Sequence, residues 1–461
     1  MHCRVAPLFA ALALLVASCS DDATTTTDGA EPTTTVTTTT TASTEPQSTT
    51  TEPPPPEPGR GVTDDTIHVG FLGIDFKTLR DLGLVDINRG DYQLVVDAFV
   101  DDLNDRGGIH GRNVVGHLEL VSPVDLVGAD TACLRLTEDI EVFAVVGSLF
   151  GPTSTANNCF TRDHGTIMVG AAPTPEERAN ANAPWITTGV GISLHLPAAL
   201  HLMADAGLFG DAVGVAWNET EADNAADFLL PTLDGLGIDV VDTFVQGTNG
   251  GDAVAGRAEW QTFSEVIKTA GIDTMVMMEA TANFGSQQLL DNGFDGQILV
   301  VDTIGITASI GSGRTVELSE LEGIIGTSWL DSPEAWEQQI TQDCVAIFEA
   351  ANPEITVIRS DLVEKGEPNW SQNIGPLCNW FRIFEMAAKN AGPILNHDSF
   401  LTGVEQIGAF ELVGQGAGLL EPGKYDASNA IRLTEFDIDD LPDGGGKPYG
   451  PMVNLSDLDL E

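Results

Sequence analysis

The chain has 461 residues, of which 69 are Asp or Glu and 20 are Lys or Arg, giving a formal charge of −49. That balance excludes an electrostatic nucleic-acid binder, which needs Lys and Arg on the surface that meets the phosphates. With 42% hydrophobic residues there is apolar surface for a large core, or more readily for two cores of about 100 to 200 residues each, and the acid surplus reads as adaptation to a saline setting that screens self-repulsion.

Residues 1–18 read as a signal peptide: Arg4 supplies the positive start, and 8–17 is an apolar run too short to span a bilayer. The run ends Val16-Ala17-Ser18-Cys19, which resembles the lipobox of bacterial lipoproteins, where cleavage leaves Cys19 as the acylated N-terminus. An ordinary signal peptide with a chance cysteine is the alternative. Residues 19–60 follow as a Thr/Pro-rich tether. From 21 to 58 there is no Lys or Arg and almost no apolar side chain, so the segment cannot offset its own ordering entropy, and Pro53 to Pro56 form a stiffer spacer. The expected location is the outer face of the cell membrane, held by lipid.

From Gly61 the texture changes to short apolar runs alternating with helix-period stretches. Strands are predicted over 67–73, 142–147, 166–171, 212–217, 240–245, 274–279, 298–302 and 323–328. Between them lie helices such as 92–106, in which Leu94, Val95, Ala98, Phe99 and Leu103 share one face and Gly107-Gly108 ends the last turn. Unbroken apolar strands alternating with helices predict an α/β fold with parallel central sheets, and about 380 residues favour two smaller sheets over one.

The opening Gly61-Val62-Thr63-Asp64-Asp65-Thr66-Ile67-His68-Val69-Gly70-Phe71-Leu72-Gly73 resembles the start of the type I periplasmic binding proteins of the branched-chain amino-acid-binding family. So do the stretch from Ala98 to Arg112, the run Val145-Val146-Gly147-Ser148, and the closing Gly423-Lys424-Tyr425-Asp426-Ala427-Ser428-Asn429-Ala430. The resemblance implies two Rossmann-like lobes with a ligand in the cleft between them, delivered to an ABC permease. It divides the chain into lobe 1 over 61–188 and 323–398, lobe 2 over 189–322 and 399–440, and an acidic tail over 441–461, with hinges near Gly189, Gly326 and Asn396. One departure is the loop 74–89, which is charged where the family is Gly-rich, so the family's contacts there do not carry over.

Enzyme signatures are missing from the sequence: there is no phosphate loop, no Gly-x-Ser-x-Gly elbow, no His-Glu-x-x-His and no Cys-x-x-Cys. No cofactor or metal is implied. His195 and His201 are six apart, on different helix faces, and read as solvated or capping residues. Gly414 to Gly418 reads as a flexible turn, and the acids of 437–461 miss the register of a calcium loop. Once Cys3 and Cys19 are set aside, Cys133, Cys159, Cys344 and Cys378 remain, and three pairings are possible. Placement on successive helices flanking one strand favours Cys133 with Cys159, which leaves Cys344 with Cys378; four buried thiols are the alternative.

In open parallel sheets ligands lie beyond the carboxyl ends of the strands. In the first lobe this selects Ser148, Thr153, Ser154, Ala172 and Thr174, with a helix start near Thr153 to receive a carboxylate, although Thr153 or Ser154 serves equally well as a cap. In the second lobe it selects Trp217, Asn218, Glu279, Asn283 and Asp302, with Trp217 as pocket wall or core and Glu279 or Asp302 as partner to a ligand ammonium. The expected function is a lipid-anchored substrate-binding protein of an ABC importer for an amino acid, amide or related small polar solute. A ligand-sensing module of the same fold is the alternative. Small-molecule ligand, permease and membrane are the expected partners.

Overall fold

Five parallel strands build the first sheet, in the order β2-β1-β3-β4-β5: β1 (Thr66–Ile74), β2 (Asn113–Val121), β3 (Ala144–Gly147), β4 (Ile167–Val169) and β5 (Trp185–Ile186). This is a computed structural model, and it describes residues 57–82, 87–123, 125–149, 151–248, 252–301, 318–439 and 446–460. The signal peptide, Cys19, nearly all of the tether and Asp302 lie outside the described residues. The helices of this part are α1 (Phe76–Asp81), α2 (Tyr92–Asp105), α3 (Leu126–Leu134) and α4 (Pro175–Ala179). Alternate residues of β1 separate two cores. Ile67, Val69 and Phe71 face Val95, Phe99 and Leu103 of α2, and Leu72 faces Cys133, Leu136 and Phe160, as expected of a strand buried on both sides.

The chain then crosses to a second, eight-stranded sheet, preceded by α5 (Ile192–Asp205). Its strands are β6 (Val213–Asn218), β7 (Val240–Gln246), β8 (Thr274–Met277), β9 (Gln297–Val300) and β10 (Ile325–Ser328), interleaved with α6 (Ala222–Asn224), α7 (Leu230–Gly235), α8 (Ala253–Ala270) and α9 (Glu279–Asp291). Neighbours from β7 through β10 run parallel. A second crossing leads to α10 (Ser332–Glu337), α11 (Gln339–Ala351), α12 (Ser371–Asn390), α13 (His397–Glu405) and the hairpin β11 (Gly408–Leu412) with β12 (Gly416–Leu420). Phe348, Phe381, Phe384, Phe400, Val404, Leu412 and Leu420 from this segment complete the first lobe's core. A third crossing returns to β13 (Ala430–Phe436), antiparallel to β10, followed by β14 (Gly446–Pro448) and β15 (Val453–Asn454).

Four expectations shift accordingly. The boundary at 323 falls before β10, whose Ile325 pairs with Leu299 in the second sheet; an apolar run in the sequence does not say which sheet it joins. Residues 399–428 stay with the first lobe, because Phe400, Val404 and Ala427 are buried in its core. The stretch 446–460 is no solvated tail: Leu455 is buried, and Leu458 and Leu460 pack against the cluster of Ala198 and Ile431. Gly416 to Gly418 belong to β12, so the turn is confined to residues 413–415.

The crossings also relocate the hinges. Gly189 lies at the first, but Gly326 is inside β10 and Asn396 is the N-cap of α13. The second crossing is at Trp329 to Asp331 and the third near Ser428. They are tied together: Thr187 N donates to Tyr425 O (3.1 Å), Ala427 N to Thr187 O (2.8 Å), and Trp329 Nε1 to Ser428 Oγ (3.1 Å). Two disulfides brace the first lobe, Cys133–Cys159 with Cα atoms 6.3 Å apart and Cys344–Cys378 at 6.2 Å.

Candidate functional site

The carboxyl ends of β1, β3 and β4 converge because glycines end two of them. Gly147 (φ 123°) closes β3 and Gly170 (φ 140°) follows β4. A Cβ on Gly147 would overlap Leu72 O, and one on Gly170 would overlap Gly147 O, so only glycine permits this approach. The loops carrying Ser148 and Ala172 to Thr174 thereby reach one rim of the first lobe.

Between that rim and the second sheet lies a cavity of about 360 Å³. Ala172 and Thr174 wall it from the first lobe, His195, Glu221, Met278, Glu279 and Val301 from the second, and Thr187, Gly189, Trp329 and Asp426 from the crossings. Local structure fixes several of these side chains. Thr174 caps α4 in a capping box, its hydroxyl accepting from Glu177 N (3.1 Å) while Glu177 accepts from Thr174 N (2.9 Å). The Glu221 carboxylate accepts from Asn218 N (2.9 Å) and Ala280 N (3.0 Å), joining the end of β6 to the start of α9. Burial pushes Glu221 above the usual carboxylate range, and the neighbouring Glu279 adds to the rise.

His195 lies 2.8 Å from Thr327 Oγ1 through Nε2. The Thr327 hydroxyl donates to Val301 O, so Nε2–H is the donor and the ring does not act as base toward that hydroxyl. Desolvation lowers the His195 pKa to about 4, and the ring is neutral at pH 7. Asp426 is paired with Arg178 of α4. With no Lys or Arg among the lining residues, the field is acidic, set by Glu221 and Glu279.

A smaller cavity of about 140 Å³ opens at the ends of β1 and β3, lined by Ser148, Arg89, Tyr92, Gln372 and Trp380 among others. Trp380 Nε1 donates to Thr188 Oγ1 (3.2 Å), so this cavity adjoins the first crossing.

The residues selected from sequence divide between several places. Ala172, Thr174 and Glu279 line the larger cavity, and Ser148 the smaller one, its hydroxyl directed at Leu149 O (3.2 Å). Thr153 is buried and Ser154 exposed, and neither lines either of these two cavities. The helical segment there opens as a tight 3-10 stretch, Gly151–Ala156, and runs on to Asp163. Trp217 is core, packed with Leu196 and Val276. Asn218 caps the turn after β6, accepting from Thr220 N (3.0 Å). Asn283 lies in α9, and its side chain is outside the described residues. His195 corrects the expectation of a solvated or capping histidine. It was missed together with Glu221, Trp329 and Asp426, because their place depends on the crossings and not on local pattern; only the apolar run before Glu279 pointed to this wall.

No family model matches the sequence, and no curated protein matches it. Solved structures do. A leucine-binding protein from Thermotoga maritima is 14% identical, with 85% of this chain and 100% of that one covered and a TM-score of 0.57. A solute-binding protein of an ABC transporter from Rhodopseudomonas palustris, in complex with 4-hydroxybenzoate, is 15% identical over 85% of this chain and 95% of its own, with a TM-score of 0.55. A fatty acid ABC transporter substrate-binding protein from Thermomonospora curvata is 14% identical over 88% and 97%, with a TM-score of 0.53. At these identities the likeness establishes the fold, the two-lobed type I periplasmic binding protein fold.

Proposed function

We propose that this chain is the extracytoplasmic substrate-binding component of an ABC importer, anchored through lipid on Cys19, and that it holds a small polar solute of amino-acid type between its lobes. The observation that carries the reading is the cavity of about 360 Å³ walled by both lobes and by the crossings. A ligand touching both walls binds the closed arrangement better than the open one, so binding and closure are coupled, as in the hinge closure of periplasmic binding proteins around their ligands. The likeness to leucine-, 4-hydroxybenzoate- and fatty-acid-binding proteins supports the class of activity and leaves the solute to be read from the walls. The acidic cavity favours a ligand with an ammonium group, with Glu279 as its partner.

The test is a thermal-shift screen of amino acids, amides and amines, followed by small-angle scattering with each hit. A ligand bound by the folded state raises the melting temperature by mass action, and the radius of gyration should fall at saturation. A hit that stabilises without contraction overturns the two-lobe mechanism. For the anchor, Cys19→Ala should move the protein from the membrane to the soluble fraction, and unchanged membrane retention overturns it.

A further inference from the structure

Arg89 is an unusual cation in this protein. Acids outnumber bases 69 to 20, yet Arg89 forms no ion pair among the described residues, and the Tyr92 phenol is the one titratable group there close enough to act on it. It is partly buried, and burial pulls its pKa below the ordinary value. A guanidinium withdrawn from water is costly to leave without a counter-charge, and none of the described acids forms an ion pair with it.

The surroundings hold the group in a fixed pose. Arg89 Nε donates to Gln372 Oε1 (3.1 Å), and the guanidinium carbon lies 4.3 Å from the centroid of the Phe76 ring. The backbone is pinned as well, because Asn373 Nδ2 donates to Arg89 O (3.0 Å). With Nε engaged and one face covered, the two Nη groups carry no hydrogen bond among the described residues. They present the planar fork that fits a carboxylate with two parallel hydrogen bonds. Arg89 lines the smaller cavity with Ser148 and Trp380, beyond the carboxyl ends of β1 and β3, where ligands of open parallel sheets lie.

We infer that Arg89 is the anion anchor of the binding site and that the ligand is a small carboxylic acid whose carboxylate it receives. The inference rests on the binding-protein reading above and makes it more specific, since it names the charged group of the ligand and the residue that receives it. It also gives a role to the charged loop after β1, where the sequence departs from the family it resembles.

The experiment is titration calorimetry on the whole mature protein with the L-amino acids and 4-hydroxybenzoate, each beside its amide. The wild type should bind at least one acid and bind the matching amide at least tenfold more weakly. Arg89→Gln should lose at least tenfold for the acid and little for the amide, and Arg89→Lys should fall between. Equal affinity of Arg89→Gln and wild type for an acid overturns the anchor and leaves the binding-protein reading standing, as does a wild type that binds only amides or amines. Failure of the wild type to bind any acid overturns it as well. A ligand-free arm separates anchoring from structural support: an unpaired cation kept for ligand leaves the melting temperature of Arg89→Gln equal to or above wild type, whereas a fall of more than about 4 °C overturns the assignment.

Discussion

Glu279 and His195 share one wall of the cavity but differ in what their burial does. Glu279 begins α9, is exposed and lines the cavity. A charge-assisted hydrogen bond in a water-poor cleft contributes roughly 1.5 to 3 kcal/mol. With Glu279 as the partner of a ligand ammonium, Glu279→Gln should weaken that ligand by about ten- to a hundredfold in calorimetry. His195, by contrast, is held neutral by burial with a pKa of about 4, against an ordinary value of 6.5. Between pH 6.5 and 4 the unfolded chain binds the proton and the folded one does not, so stability is present above that window and lost as pH falls through it. His117 and His397 are lowered by burial too and act in the same direction, whereas Glu221, raised by burial, acts oppositely as pH rises through its own range. The effect of His195 is isolated by comparison: His195→Gln should lose less stability than wild type between pH 6.5 and 4 in chemical denaturation, and parallel curves would refute the burial argument.

At the scale of elements, the sequence was most informative where burial is one-sided or complete over a short run. The predicted strands at 67–73 and 240–245 fall inside β1 and β7, and the strand at 212–217 and the helix over 92–106 match β6 and α2 to within a residue. Strand β2 escaped notice because Asn113, Gly116, His117 and Glu119 interrupt its apolar pattern, as suits an edge strand with a half-exposed face. Strand β13 escaped for another reason: Arg432 lies within it, almost fully buried, and its terminal nitrogens pair with Glu334 (2.6 Å) and Asp331 (3.7 Å) of α10 and its cap, partners that only the fold supplies. The rim of the site was legible because strand ends are, while the crossings that contribute Trp329 and Asp426 were not. The disulfides belong to this scale. Cys133–Cys159 and Cys344–Cys378 close loops with separations of 26 and 34 residues, for which loop-closure entropy predicts about 3 to 4 kcal/mol each. Cys344→Ala with Cys378→Ala should lower stability by about that amount, since the bridge joins α11 to α12 in the core that carries Phe348 and Phe381. Peptide mapping of the unreduced protein should recover both linked pairs.

For the molecule as a whole, the excess of 49 negative charges acts on stability more than on ligand choice. Carboxylates spread over two lobes repel one another in the folded state more than in the expanded chain, and the repulsion reaches as far as the Debye length, about 30 Å at 0.01 M salt and 3 Å at 1 M. The few surface pairs do not offset it. Lys77–Asp81 and Arg162–Asp163 are exposed pairs, which contribute little and weaken in the same salt. Screening of the many like-charge repulsions outweighs screening of these few attractions, so the melting temperature at pH 7 should rise by several degrees between 0.01 and 1 M NaCl. The same titration near pH 4, where many carboxylates carry protons, should give a distinctly smaller rise. That contrast separates charge screening from a general effect of salt on apolar burial, because the apolar surface is the same at both pH values. Equal slopes at pH 7 and pH 4 would show that the acid surplus is not what salt relieves.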